Sequence, residues 1–229
     1  MDRSRLEAFS DGVFAVAITL LALNLAVTGP GHGSLLDKLG RQWPAFVAYG
    51  ISFFTIGIIW VNHHALVRNI AVVDRTLLFV NLLLLLFVVA IPFGTATMAD
   101  YLTAGGQDAR VATALYAAIL EGMSLGFLAI FEWTLRDGRT FQPVPRAARW
   151  AVRGRFYVGQ VPYLIAFVVA FISPPVSVAI IGLVAVYYVF ERTPSTPGSR
   201  PGTAPGPAPG GAADTGSYGS DGGPDQPRA

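Results

Sequence analysis

The stretch "RLEAFSDGVFAVAITLLALNL", residues 5–25, decides how the whole chain is read. From Val13 to Leu25 it is apolar enough to enter lipid, with only Thr19 and Asn24 as polar interruptions. Ser10 and Asp11 nevertheless stand at its threshold, where a plain membrane anchor carries nothing costly to bury. The local pattern places both inside a helix that is already wound. Ser4-Arg5-Leu6-Glu7 fits a capping box, in which the Ser and the Glu three residues on satisfy each other's backbone donors, and Gly29-Pro30 supplies a stop. At 100° per residue, Arg5, Phe9, Gly12, Val16, Thr19 and Leu23 fall within roughly 40° of one line. Beyond Arg5 that line is a narrow stripe of small and apolar residues with a single hydroxyl. Ser10 and Asp11 project more than about 100° away from it, so a different face carries the acid.

Outward from this stretch the composition is that of a polytopic membrane protein. Of 229 residues 53% are hydrophobic and only 13% charged, about half the charged share of a soluble domain, and the mean hydropathy is +0.52. Cys is absent, which excludes disulfides, thiolate metal sites and cysteine nucleophiles. Arg3 and Arg5 resemble the start of a signal peptide, but Glu7 and Asp11 interrupt it and the apolar run is long, so the first helix is expected to stay in the protein.

Six spans are expected, over residues 5–27, 43–66, 75–98, 109–135, 155–173 and 175–191, within a membrane domain of residues 1–192. The last reaches only about 24 Å, short of a ~30 Å hydrocarbon core. Arg3, Arg5, Arg68, Arg75, Arg136, Arg139, Arg146, Arg149, Arg153 and Arg155 flank one side of these spans, against Lys38, Arg41 and Arg110 on the other. The positive-inside rule then puts both termini in the cytoplasm of a multi-pass protein of the cell (plasma or inner) membrane. Residues 193–229 contain eight Pro and nine Gly with almost no aliphatic side chains, the composition of a disordered cytoplasmic tail. Nucleic-acid binding finds no support, because the arginines lie where topology needs them.

A buried carboxylate needs partners. The second span ends in "IIWVNHHALVR", residues 58–68, at the depth of Asp11, and Trp60, His63 and His64 share one helix face there. Asp74, Arg75 and Asn81 open the third span at the same depth. The expected arrangement is a hydrogen-bonded clamp on Ser10 and Asp11 that fixes the rotation of the first helix. Adjacent histidines project 100° apart and H-E-x-x-H spacing is absent, so neither a metal centre nor catalytic residues are expected, and the chain is not read as an enzyme. Glu121 and Glu132 lie three turns apart on the fourth span, with Glu121 the deeper, facing a crevice or a neighbouring subunit. Gly122 and Gly126 form a Gly-x-x-x-Gly pair suited to close packing, and Pro92 and Pro162 are expected to kink their helices.

Arg5, Phe9, Ser10 and Asp11 in the pattern R-x-x-x-F-S-D-G/A, followed by Ile-Thr-Leu-Leu at 18–21, resemble the opening helix of the transmembrane protein 175 potassium channels. Trp60 with His63-His64, and Asn81 followed by Pro92-Phe93, are similar to the prokaryotic members, and the resemblance covers about residues 4–191. It implies an all-α, six-helix subunit assembled as a homotetramer in the lipid bilayer, around a central pore lined by the first helix. It also implies potassium as the permeant ion, no cofactor, and a hydrophobic constriction in place of a carbonyl filter. No Thr-Val-Gly-Tyr-Gly loop occurs in this sequence. Counted from the motif, the pore-lining positions are Val16, Thr19 and Leu23, the positions that the helical stripe selects independently. Val16 is smaller than the residues often found at such constrictions, which leaves the choice of narrowest ring between Val16 and Leu23. Arg5 lies on the same stripe and is expected to turn aside toward Asp74 or Asp11. The competing reading is a proton-coupled transporter using Asp11, His63, His64 and Glu121.

Overall fold

The computed structural model describes residues 2–25 and 34–190, all within one compact unit, Met1–Arg192. Eight α-helices are present among the described residues: α1 (Arg3–Leu23), α2 (Leu35–Arg41), α3 (Trp43–Arg68), α4 (Arg75–Leu102), α5 (Gly106–Thr134), α6 (Arg149–Val158), α7 (Val161–Ala170) and α8 (Pro174–Phe190). Helices α1, α3, α4 and α5 are long and apolar enough to cross a membrane, whereas the 17 residues of α8 span about 26 Å. The expected tail, residues 193–229, and the Gly29-Pro30 stop lie outside the described residues.

The helix starts follow local chemistry, though not always where the sequence suggested. The capping box expected at Ser4–Glu7 does not form, because α1 begins two residues earlier, at Arg3, with Asp2 in the N-cap position. The amides of Arg5 and Leu6 take the Asp2 carbonyl instead. A true capping box opens α2: Asp37 N donates to Ser34 Oγ at 3.1 Å, and Ser34 N donates to Asp37 Oδ2 at 3.3 Å. Asp74 caps α4 by accepting from Leu77 N at 2.8 Å.

The expected span 155–173 is not one helix. Residues 159–160 break it into α6 and α7. Pro162 falls in the first turn of α7, where its missing N–H leaves no bond unmade. It therefore starts a helix rather than kinking one. Pro92, by contrast, sits inside α4, which runs on to Leu102.

Packing is closest between α4 and α5, and glycine is the reason. A Cβ on Gly126 would stand 2.9 Å from Leu84 Cα, and one on Gly122 would stand 2.3 Å from the Phe87 ring. The Gly-x-x-x-Gly pair thus lets α5 approach α4 within the subunit. Ser52 of α3, Thr95 of α4 and Tyr116 of α5 tie the three helices together, with oxygen separations of 2.7 and 2.8 Å from Ser52. Helix α1 lies against α3 and α4, while α7 packs on α5 and α8 lies against α7, α3 and α5.

Candidate functional site

Helix α1 has two unlike faces. Leu6, Ser10, Phe14, Ala17 and Leu21 are buried against the rest of the unit. Arg5, Phe9, Gly12, Val16, Thr19 and Leu23 are all exposed, centred about 140° around the helix from the buried line. Val16 is 55% and Leu23 73% exposed, large values for aliphatic side chains, so this subunit alone leaves them without cover. The Thr19 hydroxyl donates to the Val16 carbonyl at 2.8 Å.

The covered side of α1 is held by polar contacts in two rows. In the first, the His63 ring is 2.7 Å from Asn81 Oδ1 through Nε2, Asn81 Nδ2 donates to Ser10 Oγ at 3.1 Å, and Ser10 Oγ donates to the Leu6 carbonyl at 2.9 Å. Asn81 Oδ1 can only accept, so the shared proton belongs to His63 Nε2 and the chain runs in one direction. All three side chains are buried, and Phe14 packs its ring 5.4 Å from that of His63.

The second row is a ladder between antiparallel stretches of α1 and α3. Arg3 Nη1 donates to the Arg68 carbonyl at 2.9 Å, Glu7 Oε1 lies 3.1 Å from His64 Nδ1, and Trp60 Nε1 donates to Asp11 Oδ1 at 2.8 Å. The rungs fall at Arg3, Glu7 and Asp11 against Arg68, His64 and Trp60. A step of four residues on both helices is what keeps them on facing sides. That spacing was visible in the sequence. Glu7, however, stood out as a cap and as a break in the signal-peptide pattern, not as a partner of His64, which only the structure places opposite it.

Two expected members of the cluster lie elsewhere. Asp74 caps α4 and pairs with Arg139, and the Arg75 guanidinium sits 5.5 Å over the Phe79 ring. The Leu77 amide and the Arg139 guanidinium hold the Asp74 carboxyl below its usual range. Arg5 makes neither expected pairing, because Arg139 takes Asp74 and Trp60 takes Asp11. Glu132 accepts a forked pair from Arg153 at 2.7 to 3.1 Å. Glu121 keeps one buried carboxylate oxygen, Oε2, with no hydrogen-bond partner among the described residues.

Near this end of α1 the loops are stitched together. Ile70 and Thr140 form a bridge, Asn69 Nδ2 donates to the Gln142 carbonyl at 3.1 Å, and Gln142 N donates back to Asn69 Oδ1 at 3.0 Å. Asp137 takes both Arg146 and Arg149, and these guanidiniums pull its carboxyl down to about 2. Arg3, Arg68, Arg139, Arg146 and Arg149, counted for topology, therefore lie around these loops.

Residues 5–92 match the family model described as "Endosomal/lysosomal potassium channel TMEM175". The chain is 45% identical to a potassium channel of Streptomyces collinus, over 84% of this chain and 94% of that one. It is 34% identical to the endosomal/lysosomal proton channel TMEM175 of Bos taurus, over 64% of this chain but 32% of that one. Among solved structures, a potassium-selective TMEM175 homologue from Chamaesiphon minutus superposes with a TM-score of 0.71 at 36% identity, covering 82% of this chain and 96% of that one. With long apolar helices, a family motif on the first of them, and 45% identity to a bacterial relative over 84% of this chain, this multi-pass membrane protein belongs to the TMEM175 family.

Proposed function

We propose that the chain is a potassium-preferring cation channel in which four copies surround a pore lined by α1. The observation that carries this reading is the uncovered stripe of Val16, Thr19 and Leu23 on a helix whose other side is gripped by polar bonds. Helix α3 is also largely uncovered, but it shows Phe46, Phe53 and Phe54, side chains suited to lipid. The α1 stripe offers small and aliphatic groups and one hydroxyl instead.

Four Leu23 or Val16 side chains would close such a pore by excluding water. Thr19 spends its proton on the Val16 carbonyl, which leaves the oxygen lone pairs free for a partly dehydrated cation. Potassium sheds water at lower cost than sodium, so a narrow, weakly polar throat prefers it modestly. In this reading α6 with α7 supplies the fifth crossing, α8 the sixth, and the arginine-rich end with both termini faces the cytoplasm.

The test is flux from liposomes carrying a potassium gradient. Wild-type protein should conduct, and Leu23→Ala or Val16→Ala should raise flux or relax potassium preference severalfold. Intact tetramers without flux would remove the channel reading, and unchanged currents in both variants would move the pore to another face. The chain has no Cys, so Leu23→Cys alone reports whether copies meet at that position by oxidative cross-linking. The description of the bovine relative favours one second reading, proton permeation through the same pore. A pH-sensitive dye inside the same liposomes separates the two.

A further inference from the structure

We propose that Glu7, Asp11 and His64 form a binding site for a divalent transition-metal ion, which would tie α1 to α3 at the arginine-rich end. Each residue offers one ligand atom, and the three atoms lie within 4.8 Å of one another. An ion about 2.1 Å from each ligand in tetrahedral geometry needs them about 3.4 Å apart, so closure calls for side-chain adjustment rather than a shift of helices. Glu7 and Asp11 stand one turn apart on α1, and His64 faces them from α3. The ligands are therefore presented by two helices already locked in register.

The chemistry at His64 points to a cation. Its Nδ1 is buried and makes no hydrogen bond among the described residues, although Glu7 Oε1 is only 3.1 Å away. The approach is too oblique for a hydrogen bond. In the tautomer protonated at Nε2, Nδ1 turns its lone pair toward the Glu7 carboxylate, and a cation between or beside the two atoms relieves that contact. Trp60 Nε1 binds Asp11 Oδ1 and so orients that carboxylate while leaving Oδ2 for an ion, the outer-shell support that metal ligands commonly carry. The side chains of His64 and Glu7 are 37% and 23% exposed, which leaves room for ion entry and for water as a fourth ligand. One imidazole with two carboxylates suits zinc, cobalt, nickel or manganese better than a purely oxygen-loving ion such as calcium.

The binding itself does not depend on conduction. Its effect on flux, restraint of the pore-facing helix, rests on the channel reading above. The experiment is calorimetric titration of chelator-stripped, full-length protein with Zn²⁺, repeated on His64→Gln, Glu7→Gln and, as a control, His32→Gln. Expected are one saturable site per subunit, affinity lowered about tenfold or more in the first two variants, and full affinity in the third. Absence of saturable binding, or equal affinity in all four proteins, would overturn the site and leave Glu7 and His64 as a plain ion pair. If the variants fail to fold, the absorption spectrum of Co²⁺ bound to wild-type protein decides. Nitrogen ligation from one imidazole supports the site, and oxygen-only octahedral Co²⁺ refutes it. Neither result alters the flux assay, so loss of the metal site and loss of the channel reading stay distinguishable.

Discussion

Helices α1 and α5 are both long and apolar enough to cross a membrane, yet 61% of the most apolar stretch of α5 is buried within the chain and only 28% of that of α1. Hydropathy alone scores them alike. Their neighbours separate them: α5 meets α4, α7 and α8, and its glycines press against Leu84 and Phe87. Helix α1 is covered along one line and held there by the Ser10–Asn81–His63 chain and the ladder to α3. Helix α5 is packed densely on several sides, whereas α1 is held along one line by buried apolar side chains together with a few directional bonds. Those bonds hold α1 by one side and leave its far side free for other work.

The largest effect expected from this contrast is at Gly126. Gly126→Val places a branched side chain where even a Cβ would stand 2.9 Å from the Leu84 backbone. We expect a loss of about 3 kcal/mol, read as a lower unfolding midpoint in detergent. Gly12 on the open face of α1 has no atom within 4 Å of a Cβ, so Gly12→Ala should change stability by less than about 1 kcal/mol. Similar losses in the two would break the comparison.

Asn81→Ala comes next. It removes two bonds and leaves the buried His63 N–H without its acceptor, at a cost of about 2 kcal/mol in the same unfolding assay. A change below about 0.5 kcal/mol would show that apolar contacts, not the polar chain, hold α1. The smallest effect lies just beyond α5, at Asp137. Its folded-state carboxyl is depressed to about 2, against about 3.9 for an unfolded chain. The stabilisation from Arg146 and Arg149 is thus complete above pH ~4 and is lost as pH falls through about 2. A side-chain NMR titration of Asp137 should find its midpoint near the lower end of that window. A midpoint near 4 would mean the arginines do not hold it.

Much of the fold was legible in the sequence because membrane helices must satisfy their own backbone and therefore announce themselves as long apolar runs. That logic located α1, α3, α4 and α5 to within a few residues at most ends. It failed at α6 and α7, where hydropathy runs through the break and only the start-of-helix role of Pro162 marks it. It also missed α2, a seven-residue helix too short to stand out as an apolar run and marked mainly by its capping box at Ser34. At the candidate site, the i, i+4 spacing brought out Trp60 and His64, and depth matching brought out Asn81. Asp74 and Arg75 shared that depth but faced other partners, since depth says nothing about direction.

From its residues alone this chain declared a membrane protein, the unlike faces of its first helix and the motif that marks its family, because composition and helical period are local properties. The tertiary structure decided which acid meets which base, that Glu7 joins His64, and that the glycines of α5 serve packing within the subunit. Those outcomes depend on the rotation and register of helices far apart in sequence, which no single segment encodes.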